Sequence, residues 1–214
     1  MHRDVYIYKG LPHLQPLGGT FFLTTRLAGS MSQIEKKRLA EDYALKRRQV
    51  LAKSSNPSAD LDRLERIFFA EYEALLDKAD FGPRWLADDA LAKVVAESFQ
   101  YWDDRAYELI AYTIMSNHIH IVFTLFNDES GNQVRSLQQV VQSVKSFSAK
   151  RCNRLLSREG MFWSDRNYDR LVRNQEEQHR IVQYVLNNPV KAGLCKRWQD
   201  WKWTYMKPSY NDFE

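Results

Sequence analysis

The sequence predicts an α+β fold in which helices cover an antiparallel sheet, in the order strand, helix, strand pair, helix, strand, helix, as in split βαβ architectures. Three observations carry this. Short β-rich runs recur near residues 20, 107 and 118, longer segments between them repeat apolar residues at helical spacing, and turn clusters separate the two kinds. The 214 residues, 44% hydrophobic and 13% aromatic, are enough for one large domain or a domain with an elaborate insertion.

Gly18-Gly19 opens Thr20 to Leu27 (TFFLTTRL), whose Phe, Leu and Thr content favours a first core strand. Ser32 to Lys53 shows no strand alternation, and Ser32 followed three residues on by Glu35 resembles a capping box, so a helix is expected. Ser54 to Ala59 (SSNPSA) is a turn cluster. Asp60 to Lys78 resumes helical spacing through Leu61, Leu64, Ile67, Phe68, Tyr72 and Leu75, giving a helical hairpin. After Ala87-Asp88-Asp89, the residues Leu91, Val94, Val95 and Phe99 predict an amphipathic helix ending near Tyr101. A strand from Tyr107 to Thr113 is expected to run into a second, histidine-bearing one.

Asp128 to Gln133 is a polar loop. Val134 to Leu156 then carries helical spacing through Leu137, Val140, Val141, Val144, Phe147 and Leu155, with Lys145, Lys150, Arg151 and Arg154 on the opposite face. Gly160 breaks that helix, and Met161 to Arg173 is expected as a short strand pair or a bulged strand. Gln175 to Leu186 is the final core helix, stopped by Pro189 because the residue before proline disfavours the α region. Trp198, Trp201, Trp203 and Tyr205 lie beyond it among basic residues, in a pattern that either packs the terminal segment or stacks on unpaired bases.

The net charge of +4 conceals an asymmetry. Residues 135 to 214 hold 15 Lys and Arg against 8 Asp and Glu, whereas residues 1 to 134 are net acidic. Such a bias fits a polyanionic partner as well as it fits a solubilising surface. No apolar run is long enough to span a bilayer, and the first ten residues lack a signal-peptide pattern, which makes no membrane partner and a cytoplasmic location the expectation. Cys152 and Cys195 are too few and too far apart for a disulfide framework.

Chemistry concentrates in Ala111 to Phe126. There His118 and His120 stand two apart in a strand and so project from one face, away from Ile119 and Ile121. Two such imidazoles hold one metal ion or are plain surface histidines. In the last helix Tyr184 and Asn188 stand four apart and share a face. If that face covers the histidine strand, His118, His120 and Asn188 become three neutral ligands beside a phenol. Imidazole nitrogen with amide oxygen suits Mg²⁺ or Mn²⁺, with positions left for phosphate oxygens, better than a closed zinc site. The chemistry permitted is attack by the Tyr184 oxygen on a DNA phosphodiester, leaving a phosphotyrosine and a free 3′-hydroxyl. Structural readings stand beside these: a buried core phenol for Tyr184, a helix C-cap for Asn188, a polar strand position or a support for a neighbouring imidazole for Asn117. Tyr168 is a second candidate nucleophile without a ligand partner at helical spacing.

GTFFLTTRL, MSNHIHIVF, FWSDRNYDRLVRN and above all YVLNNPVKAGL, in that order, resemble the REP-associated tyrosine transposases, members of the HUH single-tyrosine superfamily. The likeness spans roughly residues 10 to 30 and 81 to 205. It implies a ferredoxin-like sheet, and a metal-dependent enzyme that nicks and rejoins single-stranded DNA at hairpin-forming repetitive extragenic palindromes. Carried over by motif, His118 and His120 are the histidine pair, Tyr184 the nucleophile and Asn188 the third ligand of a Mg²⁺ or Mn²⁺ ion. Lys145, Lys150, Arg151 and Arg154 are candidate DNA contacts, with a solvated helix face as the plainer reading. The implied partner is a single-stranded DNA hairpin, bound by a monomer or a homodimer in a cytoplasmic, nucleoid-associated setting. Residues 1–214 then form one transposase-like domain, with 31–79 as an inserted helical hairpin and 195–214 as an aromatic, basic tail. A non-catalytic DNA binder on the same fold and a metallohydrolase that needs no tyrosine are the competing functions.

Overall fold

A computed structural model describes residues 4–8, 11–15, 18–132 and 134–213, with backbone alone for 4–15 and 211–213. The chain divides into two compact units, residues 28–84 and the remainder on either side of them.

The larger unit holds a five-stranded antiparallel sheet. Its strands are β3 (Thr20–Arg26), β4 (Tyr107–Ile114), β5 (His118–Leu125), β6 (Tyr168–Leu171) and β7 (Thr204–Met206), in the spatial order β6-β3-β5-β4-β7. A separate hairpin pairs β1 (Asp4–Tyr8) with β2 (Leu11–Gln15). With α3 (Asp89–Gln100) and α4 (Leu137–Leu155) as the connections, β3-α3-β4-β5-α4-β6 is the split βαβ order expected. β7 adds an edge strand that the short, mixed sequence Thr204–Met206 did not reveal.

Strand alternation divides the sheet into two faces. Phe21 and Leu23 of β3, Ile119, Ile121 and Phe123 of β5 and Tyr112 of β4 meet Leu91, Val95, Phe99, Val140 and Val144 of α3 and α4 in one buried core. Tyr107 closes it, donating its hydroxyl to the Phe99 carbonyl at 2.6 Å, and burial drives its phenol pKa far up. Phe22, Thr24 and Arg26 of β3, paired with Val122, His120 and His118, point to the other face. That face is covered by α5 (Gln175–Lys191), which packs on β4 and β5.

Several expectations are corrected. The two strands expected from Tyr107 onward are present, as an antiparallel pair rather than one continuous run: the chain reverses at Met115–Asn117, where the Met115 amide donates to the His118 carbonyl at 2.9 Å. The fourth helix begins at Leu137 rather than Val134, because Ser136 and Gln139 form a reciprocal capping box. Phe147 and Leu155 repeat at helical spacing but lie beyond the sheet's reach, half exposed at 49% and 56%. Met161 to Arg173 forms an isolated bridge, Leu27 to Trp163, and then β6.

Pro189 lies inside α5 and does not stop it. Proline removes only its own N–H, and it sits so close to the helix end that little of the ladder is lost. The stop comes from Gly193, left-handed at φ +71, whose amide donates to the Val190 carbonyl while Leu194 donates to Pro189, both at 2.9 Å. This pair of bonds is a Schellman motif, and glycine supplies the positive φ without a Cβ clash.

In the smaller unit, α1 (Gln33–Lys53) is capped by Ser32, whose hydroxyl accepts from the Glu35 amide, and α2 (Pro57–Lys78) by Asn56. Met31, Leu39 and Leu76 are its buried centre, with the Tyr43 and Phe68 rings 4.9 Å apart beside them. Gly82, at φ +77, passes so close to Gly29 that a Cβ would stand 2.1 Å from the Gly29 carbonyl oxygen.

Candidate active site

On the α5 face, β5 presents His118 and His120, both almost fully buried, at 1% and 0% exposure. Their Nε2 atoms face each other at 3.1 Å. Each Nδ1 is engaged elsewhere. His118 Nδ1 lies 2.6 Å from Asn117 Oδ1, which can only accept, so the proton sits on Nδ1 and the Nε2 lone pair points inward. His120 Nδ1 lies 2.9 Å from Thr24 Oγ1 on the neighbouring strand, a pairing set by the register Thr24 to His120.

α5 brings Asn188 to the same point. Its Nδ2 is 3.2 Å from His120 Nε2, and its Oδ1 is buried with no hydrogen-bond partner among the described residues. One turn earlier the Tyr184 ring stands 5.5 Å from the His120 ring, centroid to centroid, and half-exposed. Phe22 separates the aromatic groups: it stacks on His120 at 5.8 Å and takes Tyr184 edge-on at 6.0 Å and Tyr168 at 6.2 Å.

These positions fit a divalent cation. Cis ligands about 2.1 Å from an octahedral ion stand about 3 Å apart, which is the Nε2 spacing here. With the His120 proton on Nδ1, donated to Thr24 Oγ1, both Nε2 lone pairs would face one point where a cation could bind. A buried amide oxygen without a donor is a matching hard ligand.

The helix that carries Tyr184 and Asn188 is held to the sheet by ions at its other end. Arg170 of β6 donates through Nε and Nη2 to Glu177 Oε1 at 2.9 and 2.6 Å, both side chains only 11% exposed. Glu177 Oε2 also accepts from the Arg173 amide, and Asn174 caps the helix through the Glu177 amide. Such a nearly dry, multiply bonded pair fixes where α5 begins.

Of the sequence-predicted site residues, the structure brings His118, His120, Asn188 and Tyr184 together and puts Asn117 beside His118. Tyr168 lies on the same face two strands from His120, across Thr24, at the sheet edge. The four basic residues of α4 are not one face. Lys150, Arg151 and Arg154 are exposed, Arg151 3.9 Å from Glu97. Lys145 is instead turned into the 164–167 segment, where its ammonium donates to the Ser164 carbonyl and to Asn167 Oδ1, and burial lowers its pKa from 10.5 to about 8. The tail tryptophans pack: Trp201 Nε1 donates to the Ile114 carbonyl at 3.1 Å and Trp203 Nε1 to Asp89 at 2.8 Å. Thr24, Phe22 and Arg170 escaped the sequence reading. Strand alternation was the available signal for the first two, since it sets both on the Arg26 side of β3.

Comparison with known proteins places part of the chain beside a family of transposases. Residues 84–188, which run from before the histidine strand through Asn188, match the family model described as "Transposase IS200 like". That segment, just under half of the chain, is similar to the IS200-like transposases. The chain is 26% identical over 103 residues to a putative REP-associated tyrosine transposase of Haemophilus influenzae and 26% identical over 100 residues to a REP-associated tyrosine transposase of Escherichia coli K12. Each match takes in 46% of this chain, and 58% and 53% of the respective relatives, so the chain spans somewhat over half the length of the curated relatives it matches. A solved REP-associated tyrosine transposase bound to a REP hairpin superposes over 93% of this chain and 81% of its own, at 17% identity and a TM-score of 0.48. Within the IS200-like segment lie β4, β5, α4, β6 and the part of α5 that carries Tyr184 and Asn188. No helix among the described residues is long and apolar enough to cross a membrane.

Proposed function

We propose that this chain is a metal-dependent tyrosine transposase that nicks and rejoins single-stranded DNA beside a hairpin, through a covalent phosphotyrosine. The observation that carries the reading is the meeting of α5 with the histidine strand, with Asn188 3.2 Å from His120 and the Tyr184 ring 5.5 Å from it. The family match over residues 84–188 supports the reaction class, and the names of the REP-associated relatives support a REP element as its target.

His118, His120 and Asn188 are the residues that would hold Mg²⁺ or Mn²⁺. When bound there, such an ion draws charge from the scissile phosphate and fixes its orientation. Tyr184 supplies the nucleophile: its Oη forms a bond to phosphorus as the bond from phosphorus to the 3′-oxygen breaks. The phenol proton passes to water, and the departing 3′-oxygen takes up a proton. Rejoining runs the same exchange backwards, because the phosphotyrosine keeps the energy of the original diester. Thr24 and Asn117 hold the imidazoles with Nε2 inward, and Phe22 keeps the phenol upright beside them.

A labelled single-stranded hairpin incubated with the protein and Mn²⁺, then run on a denaturing gel, tests the proposal. A protein-DNA adduct that disappears in Tyr184→Phe is expected. Cleavage that survives Tyr184→Phe overturns it in favour of a hydrolase, and binding without cleavage overturns it in favour of a repeat-binding protein.

A further inference from the structure

α5 carries a third polar group on the stripe that holds Tyr184 and Asn188. Lys191 follows them at the seventh position, and residues i, i+4 and i+7 share one helical face. Helical side chains lean toward the N-terminus, so Lys191 reaches back over the turn that bears Asn188. Its Nζ stands 5.9 Å from the centroid of the Tyr184 ring, and the residue is exposed. Continuation of the helix through Pro189 is what creates this alignment, because a helix ending before Pro189 would leave Lys191 in a loop.

The location also poses an electrostatic problem. The pocket is built on the last two turns of a helix, where unpaired carbonyls give the macrodipole its negative end, and a phosphodiester brought to Tyr184 meets that unfavourable field. The Schellman bonds to Val190 and Pro189 occupy some of those carbonyls. A cation on the same stripe offsets the rest. Ammonium groups serve as point-charge phosphate holders with three donors free to rotate.

Resting on the transposase reading above, we infer that Lys191 is a further catalytic residue: its ammonium contacts a non-bridging oxygen of the scissile phosphate, on the Tyr184 side of the metal ligands. It steadies the charge that grows on that oxygen as the Tyr184 oxygen approaches. The competing role is structural, a lysine that merely complements the helix end.

The test uses the full-length protein with a single-stranded hairpin and Mn²⁺, and reads four quantities: the single-turnover rate of adduct formation, hairpin affinity, Mn²⁺ affinity and melting temperature. Lys191→Gln is expected to slow adduct formation about 100-fold or more at saturating hairpin. Mn²⁺ affinity, hairpin affinity and melting temperature stay near wild type, and Lys191→Arg recovers most of the rate because it restores the charge. An adduct rate in Lys191→Gln within about threefold of wild type overturns the inference while leaving the transposase reading intact. A lowered melting temperature with an unchanged rate per folded molecule assigns Lys191 to the helix end and overturns it too. A wild-type protein that forms no adduct overturns the reading and this inference together.

Discussion

The two faces of the sheet are buried to the same degree and do different work. Toward α3 and α4, β3 and β5 present Phe21, Leu23, Ile119, Ile121 and Phe123, which share apolar contacts and need no particular partner. Toward α5 the same strands present Phe22, Thr24, Arg26, His118 and His120, four of them polar and nearly inaccessible. A buried polar group costs free energy unless it is bonded, so each residue of the second face must find its partner at a fixed distance and angle. The contrast teaches that one face supplies most of the fold's stability while the other spends some of it on holding reactive groups in register.

Breaking the polar face should therefore cost activity before it costs the fold. His120→Ala removes one proposed ligand and the 3.2 Å contact with Asn188, and on the transposase reading its adduct formation should fall about a thousandfold or more, since a metal on the reacting phosphate is worth several kcal/mol. Its urea midpoint should fall less than that of the apolar-face variant below. A variant that keeps wild-type adduct rates would remove His120 from the chemistry.

The apolar face should answer the other way. Phe123 is 1% exposed and touches the Phe21 and Tyr107 rings at 6.4 and 4.8 Å. Phe123→Ala should lower unfolding free energy by about 3–5 kcal/mol, the usual cost of emptying a large core site. Adduct formed per folded molecule, read at low urea, should be unchanged; a matching loss of specific activity would show that the two faces are coupled.

How much of this was legible beforehand follows the same division. The histidine pair and the Tyr184-Asn188 spacing could be read because alternation and the 3.6-residue period act locally. What brings them together is long-range: Thr24 meets His120 across 96 positions and Asn188 meets it across 68, and no single-strand pattern encodes that. The end of α5 was misread because Pro189 looked like the stronger signal, whereas Gly193 four residues on carries the Schellman bonds. Lys145 was grouped with its charged neighbours because helical spacing alone cannot see the 164–167 segment folding over it.

A finer cut through the polar face comes from Thr24, whose hydroxyl bonds to His120 Nδ1 while its strand partners stay in place. Thr24→Val keeps the shape and β-branching but loses the bond. Partners that orient a metal-bound imidazole are typically worth about 10–100-fold in metal affinity, and Mn²⁺ titration should show a loss in that range, with Thr24→Ser near wild type. An unchanged Mn²⁺ affinity would mean that Phe22, stacked on the same ring, orients His120 alone.

The smallest effect lies at Lys145 of α4, under the 164–167 segment. Burial disfavours its ammonium and lowers its pKa from 10.5 to about 8. Between those values the unfolded chain holds a proton that the folded chain has released, so this group makes stability rise as pH climbs through that window. Below pH 8 both states are protonated and the cost of the buried charge is felt in full; above 10.5 neither is and the cost is gone. Urea titrations at pH 7.5 and 9.5 should show wild type gaining on Lys145→Met at the higher pH. A flat difference between the two proteins would place the ammonium in water, returning Lys145 to the exposed basic face with Lys150, Arg151 and Arg154.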